Sequence, residues 1–257
     1  MEIIIICIVA FLVSILTFFS GFGLGTILTP VFMIFFPVEI AIGLTGIVHF
    51  FNNIFKLFLV GKKANKEILL KFGIPAVIAA FVGSLVLISI NDLKPLFSYR
   101  LFDKTFVVYP IKFIISVLLL FFATIDFIPF FNKLEFSKNK LPFGGILSGF
   151  FGGLAGIQGA LRSAFLIKAG LSKESFIATT VIISTFVDFT RLSMYSTKFL
   201  NAGLTENTTL VLCAILSAIS GAYIGNKLLK KVTLHFIQIL VAIMLIVISL
   251  LLALGIL

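Results

Sequence analysis

The chain has 257 residues, 60% of them hydrophobic and 12% charged, and its mean hydropathy is +1.25. A soluble domain is about half apolar and about a quarter charged, so this composition excludes a soluble globular protein. Twenty Lys and Arg against ten Asp and Glu give a net charge of +10. The cations stand at the ends of apolar runs, where they contact lipid headgroups, so no nucleic-acid partner is predicted.

Continuous apolar runs of about 20 residues predict membrane-spanning helices, because the strands of a β-barrel alternate apolar and polar residues. We predict an all-α polytopic membrane protein with about eight spans, in the runs 3–36, 40–60, 68–90, 106–131, 141–167, 176–195, 208–229 and 232–257. Glu2 is the only charge before the first run, so the first helix is expected to remain as an anchor rather than a cleaved signal.

Polar connectors separate the runs, and the longest covers residues 91–105. The connector at 132–140 divides the chain into a first transmembrane repeat, 1–131, and a second, 141–257. If every run crosses once, Lys and Arg nearly balance on the two sides, and the excess that marks the cytoplasmic side is not seen.

The first run is interrupted by residues 20–30, where Gly21, Gly23 and Gly25 precede Pro30. Glycine permits non-helical backbone, and proline removes a helical hydrogen-bond donor. About 34 residues are too long for one straight crossing and too short for two crossings with a turn. We therefore expect either a broken crossing or a crossing with a re-entrant half-helix.

A second glycine-rich interruption covers residues 148–159 of the fifth run. Two interrupted segments at matching places in two halves are typical of a transporter site near the bilayer midplane. Four crossings per half make the repeats parallel, whereas a broken run that re-enters and returns makes them inverted. The sequence leaves both arrangements open.

The helices after the two interruptions carry polar side chains at the same spacing, so that each set forms one stripe of a helix. Aligned without gaps, the first stripe is Thr45, His49, Asn53 and Lys56, and the second is Thr180, Ser184, Asp188 and Arg191. Asn52 is expected on the face of His49 and Lys56. Because a charged group at the centre of a membrane helix costs roughly 2.5–3.5 kcal/mol, such stripes need compensating surroundings.

We expect the stripes to face the interruptions and to bind an anion there, helped by amides at the start of each following half-helix. The substrate-binding candidates are Gly21, Gly23, Gly25, Thr29, His49, Asn52, Asn53, Gly153, Gly156, Gln158, Arg162, Ser163, Thr180 and Ser184. Arg162 is the candidate fixed cation, since a guanidinium stays charged. In the alternative reading, Arg162 sits at the headgroups.

Lys56, Asp188 and Arg191 form a candidate coupling or ion-pair group. Asp188 and Arg191 are one helical turn apart and can pair. Asp188 and His49 are candidates for proton coupling because of their intramembrane position. The competing interpretations are that Lys56 reaches the nearby interface and that Asp188 and Arg191 only hold two helices together.

This pattern resembles the TauE/SafE family of bacterial membrane proteins. The residues that carry it are the glycines 21–25, Pro30, the second glycine-rich segment 149–156 and the basic connector after the second span. The resemblance covers essentially the whole chain and implies a secondary transporter in the cytoplasmic membrane. The implied substrate is a small sulfur-containing anion such as sulfite or sulfoacetate. Phe22 and Leu24 interrupt what is often a glycine run and Ser163 replaces a common proline, so the substrate is not assumed.

No enzyme is predicted, because the chain lacks an HExxH motif, a GxSx nucleophile with a helix-borne histidine, and a P-loop. Cys7 and Cys213 lie in apolar runs without a CxxC motif, so neither disulfide, metal nor cofactor is predicted. The remaining alternatives are a channel, whose flux does not saturate, and a non-transporting accessory subunit. The expected partners are the anion and the lipid bilayer, and a homo-oligomer remains open.

Overall fold

The computed structural model describes residues 1–18, 24–91, 93–125, 138–166, 169–199, 207–228 and 234–256, and it is mostly helical. In chain order the helices are α1 (Glu2–Thr17), α2 (Leu24–Met33), α3 (Val38–Val60), α4 (Lys66–Ile68), α5 (Ile74–Asn91), α6 (Pro110–Ile125), α7 (Leu141–Ala155), α8 (Gly159–Leu166), α9 (Lys173–Phe199), α10 (Thr208–Leu228) and α11 (Leu234–Ala253). A π-helical turn, Leu69–Gly73, joins α4 to α5.

Four described helices are by themselves long and apolar enough to cross a membrane: Val38–Lys63, Lys66–Ile90, Lys173–Ser196 and Thr208–Lys227. Shorter apolar helices accompany them, and large apolar side chains such as Phe58, Phe189 and Leu216 lie exposed on the outside of the bundle. These features are those of a polytopic membrane protein. The count of about eight spans and the division of the chain at 132–140 stay predictions, and residues 132–137 lie outside the described ranges.

The all-α prediction is wrong at the longest connector, which contains an antiparallel hairpin of β1 (Phe97–Leu101) and β2 (Lys104–Val108). Phe102 and Asp103 both have positive φ, 46° and 61°. Two such residues form the tight turn whose twist suits a two-residue hairpin. The hydroxyl of Tyr99 donates to the carbonyl of Leu254 at 2.6 Å and holds the hairpin against the end of α11.

The first helix, α1, runs in the same direction as α3. The side chains of Ser14 and Asn52 are hydrogen-bonded at 3.2 Å, and the ring of Phe18 lies 5.3 Å from the Lys56 ammonium. Contacts that advance along both helices together are those of parallel neighbours. Thus α1 enters from the side where α3 begins.

The second helix, α2, returns to that same side. It starts beside the middle of α3, where Gly25 lies against the ring of His49, and it ends at Met33, a short turn before Val38. Together α1 and α2 therefore form a re-entrant helical hairpin. Gly21 and Gly23, predicted to bind substrate, lie outside the described residues.

A second re-entrant hairpin is formed by α7 and α8. The ring of Phe165 in α8 packs against Gly144 in the first turn of α7, so α8 returns toward the start of α7. Gly156 ends α7 with φ of 75°, a backbone conformation that a side chain would strain. The interruption is shorter than expected, because residues 148–155 continue α7. Gly153 therefore lies within a helix rather than in the break.

The two hairpins enter from opposite sides. Helices α3 and α9 run antiparallel, since Gly46 lies against the guanidinium of Arg191, whereas His49 and Asn53 contact Asp188 earlier in α9. Helices of the first half also pack on helices of the second half: α1 packs on α10, α5 on α7, α3 on α9 and α6 on α11. Of the two arrangements that the sequence allowed, the described helices have the inverted one.

Glycines allow close backbone contact in the two pairs that join the hairpins to the rest of the bundle. On α7, Gly145 leaves no room for a Cβ against a carbonyl of the π-helical turn, and Gly149 and Gly153 leave none against carbonyls of α5; on α10, Gly221 and Gly225 meet Phe11 and Ile15 of α1. Between helices in lipid the hydrophobic effect is weak, so small residues that let backbones approach stabilise packing. Because contacts advance together along both members, α10 is parallel to α1.

Candidate functional site

The start of α2 and the end of α7 meet beside the middle of α3. A Cβ added to Gly25, in the first turn of α2, would lie 3.2 Å from the carbonyl oxygen of Gly156 and 3.9 Å from the His49 ring. Both half-helices, α2 and α8, therefore begin near the polar stripes of α3 and α9. Helix N-termini carry partial positive charge, so this junction favours an anion.

Asp188 is the centre of a buried hydrogen-bond network. Its Oδ2 accepts from Nδ1 of His49 at 2.6 Å and from Nδ2 of Asn53 at 3.1 Å. Its Oδ1 accepts from Nε2 of Gln158 at 3.2 Å and from Nε of Arg191 at 3.0 Å. The carboxylate thus joins α3, α9 and the turn of the second hairpin.

Positive charge exceeds negative charge in this buried cluster. Lys56, Arg162 and Arg191 are all buried, at 5%, 1% and 0% exposure, and Asp188 is the one buried acid among the described residues. Asp188 pairs with Arg191, with Oδ1 and Nη2 2.9 Å apart. Three cations facing one carboxylate leave an excess of two positive charges, which is costly unless an anion balances it.

A cavity of about 20 Å³ lies beside Lys56, roughly the space of one water molecule. Its lining combines polar side chains with three apolar ones: Thr17, Phe18, Leu24, His49, Asn53, Lys56, Thr180, Val181 and Ser184. Leu24 is the first residue of α2, so the positive end of that helix faces the cavity. The hydroxyl of Thr180 has no hydrogen-bond partner among the described residues. A cation, the hydroxyl of Thr180 and the lack of an acid among the described lining residues make this cavity suited to an anion.

Asn52 does not share the face of His49, contrary to prediction. With its amide oriented to satisfy its neighbours, Asn52 donates to the carbonyl of Ala218 and to Ser14 and accepts from Nζ of Lys56, each at 3.2 Å. Consecutive helical residues are about 100° apart, so Asn53 faces α9 while Asn52 faces α1 and α10. Asn52 therefore orients Lys56 rather than lining the cavity.

Arg162 is buried in α8 rather than placed at the headgroups. Its Nη1 donates to Oε1 of Gln158 at 3.0 Å, and Gln158 in turn donates to Asp188. Arg162 does not line the cavity beside Lys56. The cation predicted to contact the substrate instead supports Gln158, and Lys56 faces the cavity.

Three further predicted residues are buried without lining the cavity. Thr29 and Ser163 lie within the half-helices α2 and α8. Gly153 packs on α5, and its carbonyl accepts a hydrogen bond from Tyr195. Gly25 and Gly156 lie at the junction of the hairpins, while Thr180 and Ser184 line the cavity.

The sequence interpretation missed Thr17, Phe18, Leu24 and Tyr195. Tyr195 was recognisable, because it continues the stripe of α9 four residues after Arg191. Thr17 and Phe18 carry no local signal, since they differ from other residues of the first run only in what α1 approaches.

The re-entrant hairpins and the buried polar cluster at their junction are features of a membrane transporter, and the family that the chain matches supports this class. A family model described as sulfite exporter TauE/SafE matches residues 6–252. The chain belongs to this family, as its resemblance had predicted. Members are membrane exporters of sulfite and organosulfonates, so a multi-pass membrane location and a small anionic substrate follow. No curated protein and no solved structure shows significant similarity to the chain.

Proposed function

We propose that the protein is a secondary transporter that exports sulfite, or a sulfur oxyanion of similar size, across the bacterial cytoplasmic membrane. The observation that carries this proposal is Lys56, a buried cation that faces a cavity and has no ion pair within the described ranges. A bound anion would supply the missing countercharge. Binding of the substrate would therefore also stabilise the buried ammonium of Lys56.

The other cavity residues suit an oxyanion. Thr180 and Ser184 offer hydroxyl donors on α9, and Asn53 offers an amide on α3. An oxyanion with several oxygens accepts from several such donors, each charge-assisted bond being stronger than a neutral one. Phe18 and Leu24 cover the cavity with apolar surface, which strengthens these interactions by excluding water.

Transport requires this cavity to open alternately to the two sides. Its volume is about that of one water molecule, so a sulfite ion needs it to widen. Two inverted hairpins that contact each other where α2 begins and α7 ends can separate by a rocking motion of one half against the other. The contacts of Asp188 with His49 and Asn53 hold α3 on α9 and must loosen in that motion.

We place the end of α3 at Val60 in the cytoplasm. With both hairpins re-entrant, this side carries Lys62, Lys63, Lys66, Lys71, Lys138, Lys140, Lys173 and Lys227 among the described residues, and the other side carries Lys94, Arg100, Lys104, Lys112 and Lys198. An excess of Lys and Arg in short connectors marks the cytoplasmic side. Lys56 lies between His49 and the Val60 end of α3. A site at Lys56 is therefore nearer the cytoplasm, from which an exporter takes up its substrate.

Coupling to protons is proposed at the pair of His49 and Asp188, the titratable pair that adjoins the cavity. Sulfite flux into proteoliposomes should then respond to an imposed pH gradient. Flux that is unchanged by the gradient and by a protonophore would remove this part of the proposal and leave the anion site in place.

Radiolabelled sulfite flux into proteoliposomes tests the transport proposal. We expect saturable flux, and Lys56→Gln should lower it about tenfold or more, a change equal to roughly 1.4 kcal/mol of binding. Lys63→Gln is the matched control, because Lys63 is exposed at the end of α3. Non-saturating current would indicate a channel, and absence of flux in reconstituted wild-type protein would indicate an accessory subunit. Equal flux in Lys56→Gln and wild type would contradict the site.

A further inference from the structure

Arg191 lies in a notch between two glycines. Its side chain is fully buried, and neither terminal nitrogen has a well-directed hydrogen bond to the residues that the structure describes. A Cβ on Gly156 would lie 2.5 Å from Nη1, and one on Gly46 would lie 3.3 Å from Nη2. The terminal nitrogens thus lie against the backbone of two glycines, where any other residue would place a side chain. Within the described part of the chain they form an ion pair with Asp188, whose Oδ1 lies 2.9 Å from Nη2.

Lys56 and Arg191 lie on opposite sides of the pair formed by His49 and Asp188. Lys56 is two helical turns beyond His49, toward the Val60 end of α3. Arg191 is one turn beyond Asp188 in an antiparallel helix, and therefore lies toward the opposite end. An anion that moves from Lys56 toward the far side of the membrane next meets Arg191.

The two cations differ in their countercharge. In the aligned stripes Lys56 corresponds to Arg191, and Asn53 corresponds to Asp188. Arg191 has a carboxylate one turn away on its own helix, whereas the equivalent position beside Lys56 holds a neutral amide. An anion at Lys56 finds an unpaired cation, but at Arg191 it must replace Asp188.

We propose that Arg191 is the second anion-binding position on the transport path, and that Asp188 occupies it as an internal counter-anion until the substrate arrives. The ligand is the same small oxyanion that binds at Lys56, so the inference rests on the proposed function. A guanidinium presents a planar fork that pairs with two oxygens of an oxyanion. As the substrate moves from Lys56 to Arg191, Asp188 leaves the guanidinium of Arg191.

Binding stoichiometry distinguishes one position from two. Radiolabelled sulfite is titrated against purified full-length protein in detergent, and wild type is expected to bind one equivalent. Asp188→Asn removes the internal anion while keeping the shape of the side chain, so it should bind two. The double variant Asp188→Asn/Arg191→Gln should return to one equivalent. It should also bind sulfite within about twofold of the wild-type affinity, yet transport it about tenfold more slowly.

Several outcomes overturn the inference. One equivalent bound by a folded Asp188→Asn variant, or wild-type flux through the double variant, excludes an anion position at Arg191. If Asp188→Asn does not fold, the double variant decides alone, because it removes both charges of a buried pair and leaves neither uncompensated. Wild-type protein that binds no sulfite would instead contradict the proposed function, so the two failures are separate.

Discussion

The two halves of the molecule carry stripes of the same spacing but of different charge. Both begin with a threonine, Thr45 or Thr180, and both end with a cation, Lys56 or Arg191. In the second stripe Asp188 neutralises the cation, and in the first the equivalent Asn53 does not. The two stripes therefore differ in charge balance: Arg191 has an internal ion pair, whereas Lys56 has none among the described residues, and we propose that it binds the substrate.

The largest effect is expected when the acid itself is removed. Asp188→Ala should lower the free energy of unfolding by about 3–5 kcal/mol, because Arg191 is left as an uncompensated buried charge. Asn53→Ala, at the equivalent position, should cost less, about 1.5–3 kcal/mol, since it removes a hydrogen bond to the Asp188 carboxylate but leaves the ion pair with Arg191 in place. Unfolding of the purified protein in detergent measures both. Equal losses would show that the stripes do not differ in the way described.

The junction of the hairpins is tested by two glycines with the same backbone conformation. Gly156 and Gly170 both have φ of 75°, but a Cβ would meet Arg191 at Gly156 and nothing within 4 Å at Gly170. Gly170→Ala should cost about 1 kcal/mol from strain alone. Gly156→Ala should cost about 1–3 kcal/mol more, because the guanidinium must move. Comparable melting temperatures for the two variants would place Arg191 elsewhere.

The charge difference between the halves can be abolished by Asn53→Asp. A carboxylate one turn from Lys56 gives the first stripe an internal ion pair like that of the second, so sulfite affinity should fall about tenfold. Asn65→Asp is the matched control, because Asn65 caps α4 through its side-chain oxygen and aspartate caps a helix equally well. Undiminished binding in Asn53→Asp would mean that Lys56 does not hold the anion.

The smallest effect concerns Tyr195, which has no polar equivalent in the first stripe. Its hydroxyl donates to the carbonyl of Gly153 and ties α9 to α7. Tyr195→Phe keeps the ring and should lower stability by about 0.5–1.5 kcal/mol. Tyr223→Phe, on the lipid-facing surface of α10, serves as the control and should change little. A stable Tyr195→Phe variant would show that this hydrogen bond contributes nothing to the pairing of α7 and α9.

Much of the site was recognisable from residue spacing. The two polar stripes, and the spacing that lets Asp188 pair with Arg191, follow from helical periodicity, which is a local property. Periodicity does not show which neighbouring helix each residue of a stripe contacts. Asn52 and Asn53 are adjacent, yet Asn52 faces α1 and α10 and Asn53 faces α9. The charge of Arg162 can be read from the sequence and predicts substrate binding. Its hydrogen bond to Gln158 depends on side-chain packing, which the sequence does not show.

The sequence by itself determined a helical membrane protein of the TauE/SafE family with paired polar stripes. These conclusions depend on transfer free energies and periodicity, which each segment carries alone. Only the tertiary structure decided that the broken runs re-enter, that the halves are inverted and which cation faces the cavity. Glycines look alike in sequence whether they end a helix, as Gly156 does, or admit a neighbouring backbone, as Gly149 does. Which of the two occurs depends on the helix that packs opposite, and long-range contacts set that choice.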